Sequence, residues 1–100
     1  MLVRFPFSDL SGSKLRPALV LALVEYGDLI PCQITSKSYE DRFAVVIQQS
    51  DLAEGSLPVT SYARPGRLLT AGNALIVGAI AAVTEAKRQE IATAVIQLLQ

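Results

Sequence analysis

The hydrophobic pattern changes period once, at Thr84, and that single change sets the fold class. Ahead of it, short apolar runs alternate with clusters of turn-forming residues, the mark of strands. Behind it, Ile91, Val95, Leu98 and Leu99 recur at helical spacing. Thr84 is a good N-cap, and Glu85 places a negative charge in the first turn of the helix it opens. The strand pieces expected are 2–5, cut short by the chain start and Pro6, then 17–25, 29–35, 43–47, 57–62, 67–70 and 75–80. Residues 8–14 and 36–42 read as polar loops, 26–28 as a hairpin turn and 48–56 as turn or irregular chain. The pieces at 57–62 and 67–70 are bent at Arg64-Pro65-Gly66. So many strands in about 80 residues close or nearly close a small barrel, which avoids exposed edges. The expected architecture is mainly β: a small antiparallel barrel with a C-terminal helix, one domain over residues 1–100.

Two apolar runs test a membrane reading. Residues 17–24 and 74–83 are eight and ten residues long, well short of the ~20 that a spanning helix needs. Composition removes several chemistries. There is no His, so no Ser-His-Asp triad, imidazole acid–base pair or His metal cluster can form. One Cys makes neither an internal disulfide nor a paired-cysteine zinc site. Cys32 sits in an apolar strand and reads as a packing residue, in keeping with a reducing cytoplasm. No cofactor and no metal are expected.

Nine Lys+Arg balance nine Asp+Glu, but the distribution is uneven. Residues 1–24 carry Arg4, Lys14 and Arg16 against Asp9, a sum of +2. Residues 25–54 carry two bases against six acids, −4, and residues 55–84 carry Arg64 and Arg67 with no acid, +2. A fold that joins the two basic stretches makes an anion site on a neutral protein.

Three stretches could carry chemistry. In Lys14-Leu15-Arg16-Pro17 the proline holds Arg16 extended at a strand start, and arginine suits forked contact with phosphate. Gln33-Ile34-Thr35-Ser36 puts two hydroxyls at a strand end, to donate to phosphate or to cap a turn. Thr60-Ser61-Tyr62-Ala63-Arg64-Pro65-Gly66-Arg67 is a basic bend beside hydroxyls and an aromatic ring; Tyr62 could stack on a base or form a core edge.

In order and spacing, these stretches resemble the MazF/PemK family of toxin-antitoxin endoribonucleases, the PemK-like branch most of all. The resemblance rests on Val3-Arg4-Phe5-Pro6-Phe7-Ser8-Asp9-Leu10, Lys14-Leu15-Arg16-Pro17-Ala18-Leu19-Val20, Ile34-Thr35-Ser36, Leu57-Pro58-Val59-Thr60-Ser61-Tyr62-Ala63-Arg64-Pro65 and Leu69-Thr70-Ala71. It implies an SH3-like barrel in a homodimer that cuts single-stranded mRNA without a metal. It implies neutralisation by a cognate antitoxin, with DNA touched only through the antitoxin complex. Arg16, Thr35 and Arg64 fall on positions used for cleavage. Lys14, Ser36, Thr60, Tyr62 and Arg67 are the RNA contacts the resemblance suggests. The sequence departs from the family pattern at Gly66, where some relatives have Asp, at Gly72-Asn73, where an Asp is usual, and near Ala81, where a Gly is customary. It also has no His in the first loop, and its first strand is shortened. The same barrel serves a gyrase-poisoning toxin family, so a binding module without cleavage is the alternative.

Overall fold

The computed structural model describes residues 2–9, 12–24, 27–37, 41–68, 70–72 and 78–100, with residues 7–9 and 12–14 described by backbone alone. The strands are β1 (Leu2–Asp9), β2 (Gly12–Leu23), β3 (Asp28–Thr35), β4 (Val45–Ile47), β5 (Leu52–Gly55), β6 (Ser61–Leu68), β7 (Ala71–Gly72) and β8 (Gly78–Val83). One helix, α1 (Glu85–Leu98), follows. The strands form one sheet in the order β4-β6-β3-β2-β1-β8-β5, with β7 paired to β3.

The ends of that order explain the shape. β4 and β5 lie at opposite ends of the sheet, yet only Gln48 and a 3-10 turn at Gln49–Asp51 separate them in the chain. The sheet must therefore curl until its two ends approach, which makes the antiparallel half-barrel expected from the strand pattern. Inside the curl, Leu2, Leu19, Cys32, Ile34, Ile47, Ala63 and Ile91 form the core. On the outer face a smaller cluster gathers Val3, Phe5, Ala18 and Ala71. Strand alternation sends Val3 out and Leu2 in, Ala18 out and Leu19 in.

Thr84 caps the helix as its sequence implies: its Oγ1 accepts the Lys87 backbone N–H at 3.2 Å. Ile91 is buried and Val95 and Leu98 are half-buried, whereas Leu99 caps the C-terminus at 78% exposure. Leu99 is thus not part of the apolar face. No helix among the described residues is long and apolar enough to cross a membrane.

Several boundaries differ from the sequence reading. β1 continues through Pro6 to Asp9, and residues expected in a polar loop pair instead as a hairpin, Ser8 with Ser13 and Asp9 with Gly12. The β1–β2 ladder carries the chain through Pro6, which stands opposite Leu15, and among the described residues β8 pairs with Leu2–Arg4. Leu10 and Ser11 of the expected loop and Tyr26 of the expected turn lie outside the described residues, as do Leu69 and residues 75–77 of two expected strands. β5 forms where irregular chain was expected, and residues 57–60 are not strand. The strand expected from residue 43 begins at Val45.

Candidate RNA-binding site

The candidate residues come together because four ladders share one row. Phe5 pairs with Arg16 across β1 and β2. Ala18 pairs with Gln33 across β2 and β3, and continuing that register by two residues sets Arg16 opposite Thr35. Thr35 then pairs with Tyr62 on β6, and Tyr62 with Val46 on β4. Alternation puts this row on the outer face, opposite Leu19, Ile34 and Ala63 in the core. With neighbouring strands ~4.8 Å apart, Arg16 and Tyr62 stand roughly 10 Å apart with Thr35 between them.

Thr35 is 8% exposed, and its Oγ1 accepts the Lys37 backbone N–H at 3.2 Å. The oxygen caps the turn after β3, and the O–H can still donate to a ligand. Both sequence readings of this hydroxyl are therefore compatible. Ser36 next to it is exposed. Arg16 is half-buried, and with Arg4, Leu15, Leu57, Pro58 and Ile80 it lines a cavity of about 270 Å³. Thr60 is exposed just ahead of β6, and Tyr62 is half-buried. Only the backbone of Lys14 is described, paired with Phe7.

Arg64 and Arg67 occupy a break in the β3–β6 ladder. Cys32 pairs with Leu68 and Ile34 with Ala63, so Gln33 alone faces four residues, 64–67, on β6. This is the bend expected at Arg64-Pro65-Gly66, formed as a bulge within a continuous strand. Side chains tie the bulge down. The Cys32 thiol donates to the Arg64 carbonyl at 3.3 Å. Arg67 Nε donates to Gln33 Oε1 at 2.9 Å. Arg64 Nε lies 3.5 Å from Asp41 Oδ2 as an ion pair. Burial pushes the Cys32 thiol up to about 12, so it is a packing and donor group, not a nucleophile.

Sequence reasoning did not single out Gln33 or Asp41. Gln33 carried a signal, because an amide inside an apolar strand needs a partner when buried. Asp41 carried none; it was one of six acids in an acidic stretch. Arg4, Arg16 and Arg67 have no carboxylate within 4 Å among the described residues, while Arg64, Lys87 and Arg88 do. Among the described residues no three of His, Cys, Asp and Glu gather to hold a metal.

The model of the PemK-like, MazF-like toxins of type II toxin-antitoxin systems matches residues 1–99. The chain belongs to this family. No curated protein matches it. Among solved structures, this PemK-like chain is similar to an endoribonuclease in complex with its cognate antitoxin from a mycobacterial species. The identity is 22%, over 98% of this chain and 89% of that one, with a TM-score of 0.75. A second mycobacterial endoribonuclease matches at 21% identity, over 96% of this chain and 86% of that one, with a TM-score of 0.69. At such identities the likeness shows the fold, a small antiparallel barrel with a C-terminal helix, as the sequence pattern predicts.

Proposed function

We infer that this PemK-like chain is the toxin of a type II toxin-antitoxin pair and an endoribonuclease that cuts single-stranded RNA. The observation that carries the reading is the outer-face row of Arg16, Thr35 and Tyr62 beside the bulge that bears Arg64 and Arg67. Arg64 follows Tyr62 by two residues on β6, and Tyr62 pairs with Thr35, so the bulge begins at the edge of this row, where a second arginine can reach the phosphodiester that Arg16 binds.

RNA brings its own nucleophile. The 2′-oxygen attacks the neighbouring phosphorus, its proton passes to solvent, and the bond to the 5′-oxygen breaks. That oxygen takes up a proton, and the products are a 2′,3′-cyclic phosphate and a 5′-hydroxyl. The protein's task is to orient the backbone and to stabilise the charge that builds on the non-bridging oxygens. Arg16 forks onto one such oxygen, and the Thr35 hydroxyl donates to the same group. Arg64 supplies a second positive charge, with Asp41 setting the direction of its guanidinium. Arginine stays protonated, so it acts here through charge and hydrogen bonds rather than as a base. Tyr62, half-buried beside Thr35, offers its ring to a neighbouring base, and Ser36 and Thr60 offer hydroxyls at the exposed ends of the site. Lys14 is a further RNA contact in this reading.

In this reading the chain is a single domain over residues 1–100, forms a homodimer in the cytoplasm, and has a cognate antitoxin as its protein partner. DNA is reached only through that antitoxin complex. No metal takes part. The test is cleavage of single-stranded RNA in EDTA by the purified protein. Wild type should cut and Arg16→Ala should lose at least ~100-fold in rate with an unchanged melting curve. Equal cutting by both removes the site. RNA or gyrase binding with no cutting by wild type makes the chain a binding module instead.

A further inference from the structure

Gln33 is the least expected side chain near the site. It is 7% exposed, and its Oε1 accepts from Arg67 Nε at 2.9 Å across 34 residues of sequence. Arg67 itself is exposed, and it makes no other hydrogen bond or ion pair among the described residues. One buried amide thus holds one edge of an otherwise solvent-facing guanidinium. A free surface arginine keeps much of its rotamer entropy and loses it on binding a ligand. Tethering at Nε removes part of that cost in advance and leaves both terminal nitrogens to grip an anion as a fork.

Position gives this tether a meaning. Gln33 and Thr35 are two residues apart on β3, so they share a face about 6.7 Å apart along the strand. Gln33 pairs with Ala18, and Arg16 lies two residues from Ala18 on the same face. The Gln33–Arg67 pair therefore sits one step along β3 from the Arg16–Thr35 pair. Both pairs combine an arginine with a buried, strand-borne polar side chain. The ladder break at Gln33 is what lets Arg67 reach back over the sheet, since residues 64–67 bulge out opposite that single residue.

We propose that Gln33 is a positioning residue which fixes Arg67 as a second phosphodiester contact, next to the one bound by Arg16 and Thr35. The inference rests on the RNA-cleaving reading above and adds to it a two-phosphate track along β3. The second contact binds substrate and transition state alike, so it acts on KM rather than kcat.

The test uses the full chain and an end-labelled single-stranded RNA of randomised sequence. Gln33→Leu, Arg67→Ala and the double variant are compared for kcat, KM and the salt dependence of KM. Arg67→Ala should raise KM about five- to tenfold with kcat within about twofold, and should lower the log–log salt slope by about 0.7. Gln33→Leu should raise KM in the same direction, and the double variant should be no worse than Arg67→Ala alone. Gln33→Glu, which keeps an oxygen acceptor for Arg67, should restore much of the loss. If Gln33→Leu does not fold, Arg67→Lys replaces it, because it keeps the charge and loses the Nε bond; it too should raise KM. A lower melting temperature with unchanged KM in these variants overturns the proposal, since the bond would then only pin the bulge. Additive effects in the double variant overturn it as well. Wild-type protein that neither cuts nor binds the RNA overturns the functional reading beneath it. Wild-type protein that cuts, with Gln33 and Arg67 variants indistinguishable from it, overturns this inference alone.

Discussion

Arg64 and Asp41 form an ion pair, Nε to Oδ2 at 3.5 Å, between the β6 bulge and the loop that leads into β4. Asp41 has two duties there. Its Oδ1 accepts the Phe43 backbone N–H at 2.9 Å, and its own carbonyl accepts from Ala44 N at 3.1 Å, which closes a local turn. The second carboxylate oxygen is left to face the guanidinium.

The two duties separate by mutation. Asp41→Asn keeps an oxygen for the Phe43 N–H and removes the charge that orients Arg64. Its stability should change by less than about 1 kcal/mol, while the cleavage rate falls on the order of tenfold. Asp41→Ala keeps the backbone turn but loses the Phe43 N–H bond as well, and should cost about 1–2 kcal/mol. Thermal melts and initial cleavage rates of the two variants check this. Equal loss of activity and stability in both would mean that Asp41 only holds the loop.

Lys87 ties the helix to the closing edge of the sheet. It is 9% exposed, and its Nζ donates to the Val46 carbonyl at 3.1 Å and to Glu90 Oε1 at 2.9 Å, with Asp51 Oδ2 at 3.6 Å. One ammonium thus bridges α1, β4 and the turn before β5. Lys87→Met keeps the apolar stem, leaves the Val46 carbonyl without that donor and leaves Asp51 without its facing charge. The expected loss is about 1–3 kcal/mol, or a fall in Tm of roughly 4–8 °C per kcal/mol for a domain of this size. Chemical denaturation should show it as a lower midpoint with an unchanged slope.

The element types were legible and the pairing partners were not. Thr84 announced the helix, because a cap followed by a change of period is a local signal. The strands at Pro17 and Leu29 announced a hairpin for the same reason. β5 was missed because Leu52-Ala53-Glu54-Gly55 has little strand character of its own; it is strand because β8 pairs with it when the sheet curls. Pro6 looks like a stop because a proline is judged locally, whereas pairing with β2 carries β1 on to Asp9. At the site, Arg16 and Thr35 were legible from motif and resemblance. Their juxtaposition depends on a register between strands, and the Gln33–Arg67 and Asp41–Arg64 pairs span 34 and 23 residues. No local pattern encodes such separations.

Gly55 tests the curl directly. Its φ is +75°, and a Cβ placed there would lie 2.5 Å from the Ile80 carbonyl oxygen and 2.9 Å from Ala81 Cα. Both neighbours are backbone of β8, which cannot step aside without opening the β5–β8 ladder. Gly55→Ala should cost more than about 1 kcal/mol, since left-handed strain and the clash act together. Hydrogen exchange should speed up at β5 and β8 before it does so at β3. A neutral Gly55→Ala would mean that the barrel edge is not held by this close approach.

Cys32 gives a pH signature of the core behind the bulge. Burial raises its thiol from 9.0 to about 12 in the folded protein, while in the unfolded chain it returns to its ordinary value. Between pH 9 and about 12 the unfolded state loses this proton and the folded state keeps it. Fewer protons on the unfolded chain mean that stability falls as pH rises through this window, and the contribution is fully present below it. The slope from this one group approaches about 1.4 kcal/mol per pH unit. Other groups titrate in the same range, so the measurement is the difference between wild type and Cys32→Ala in urea midpoints taken from pH 8 to 11. The wild type should lose stability more steeply. In the folded state at pH 8 the thiol should also resist iodoacetamide, and should be labelled at the rate of global unfolding. Rapid labelling without unfolding would place Cys32 outside the core and remove its bond to the Arg64 carbonyl.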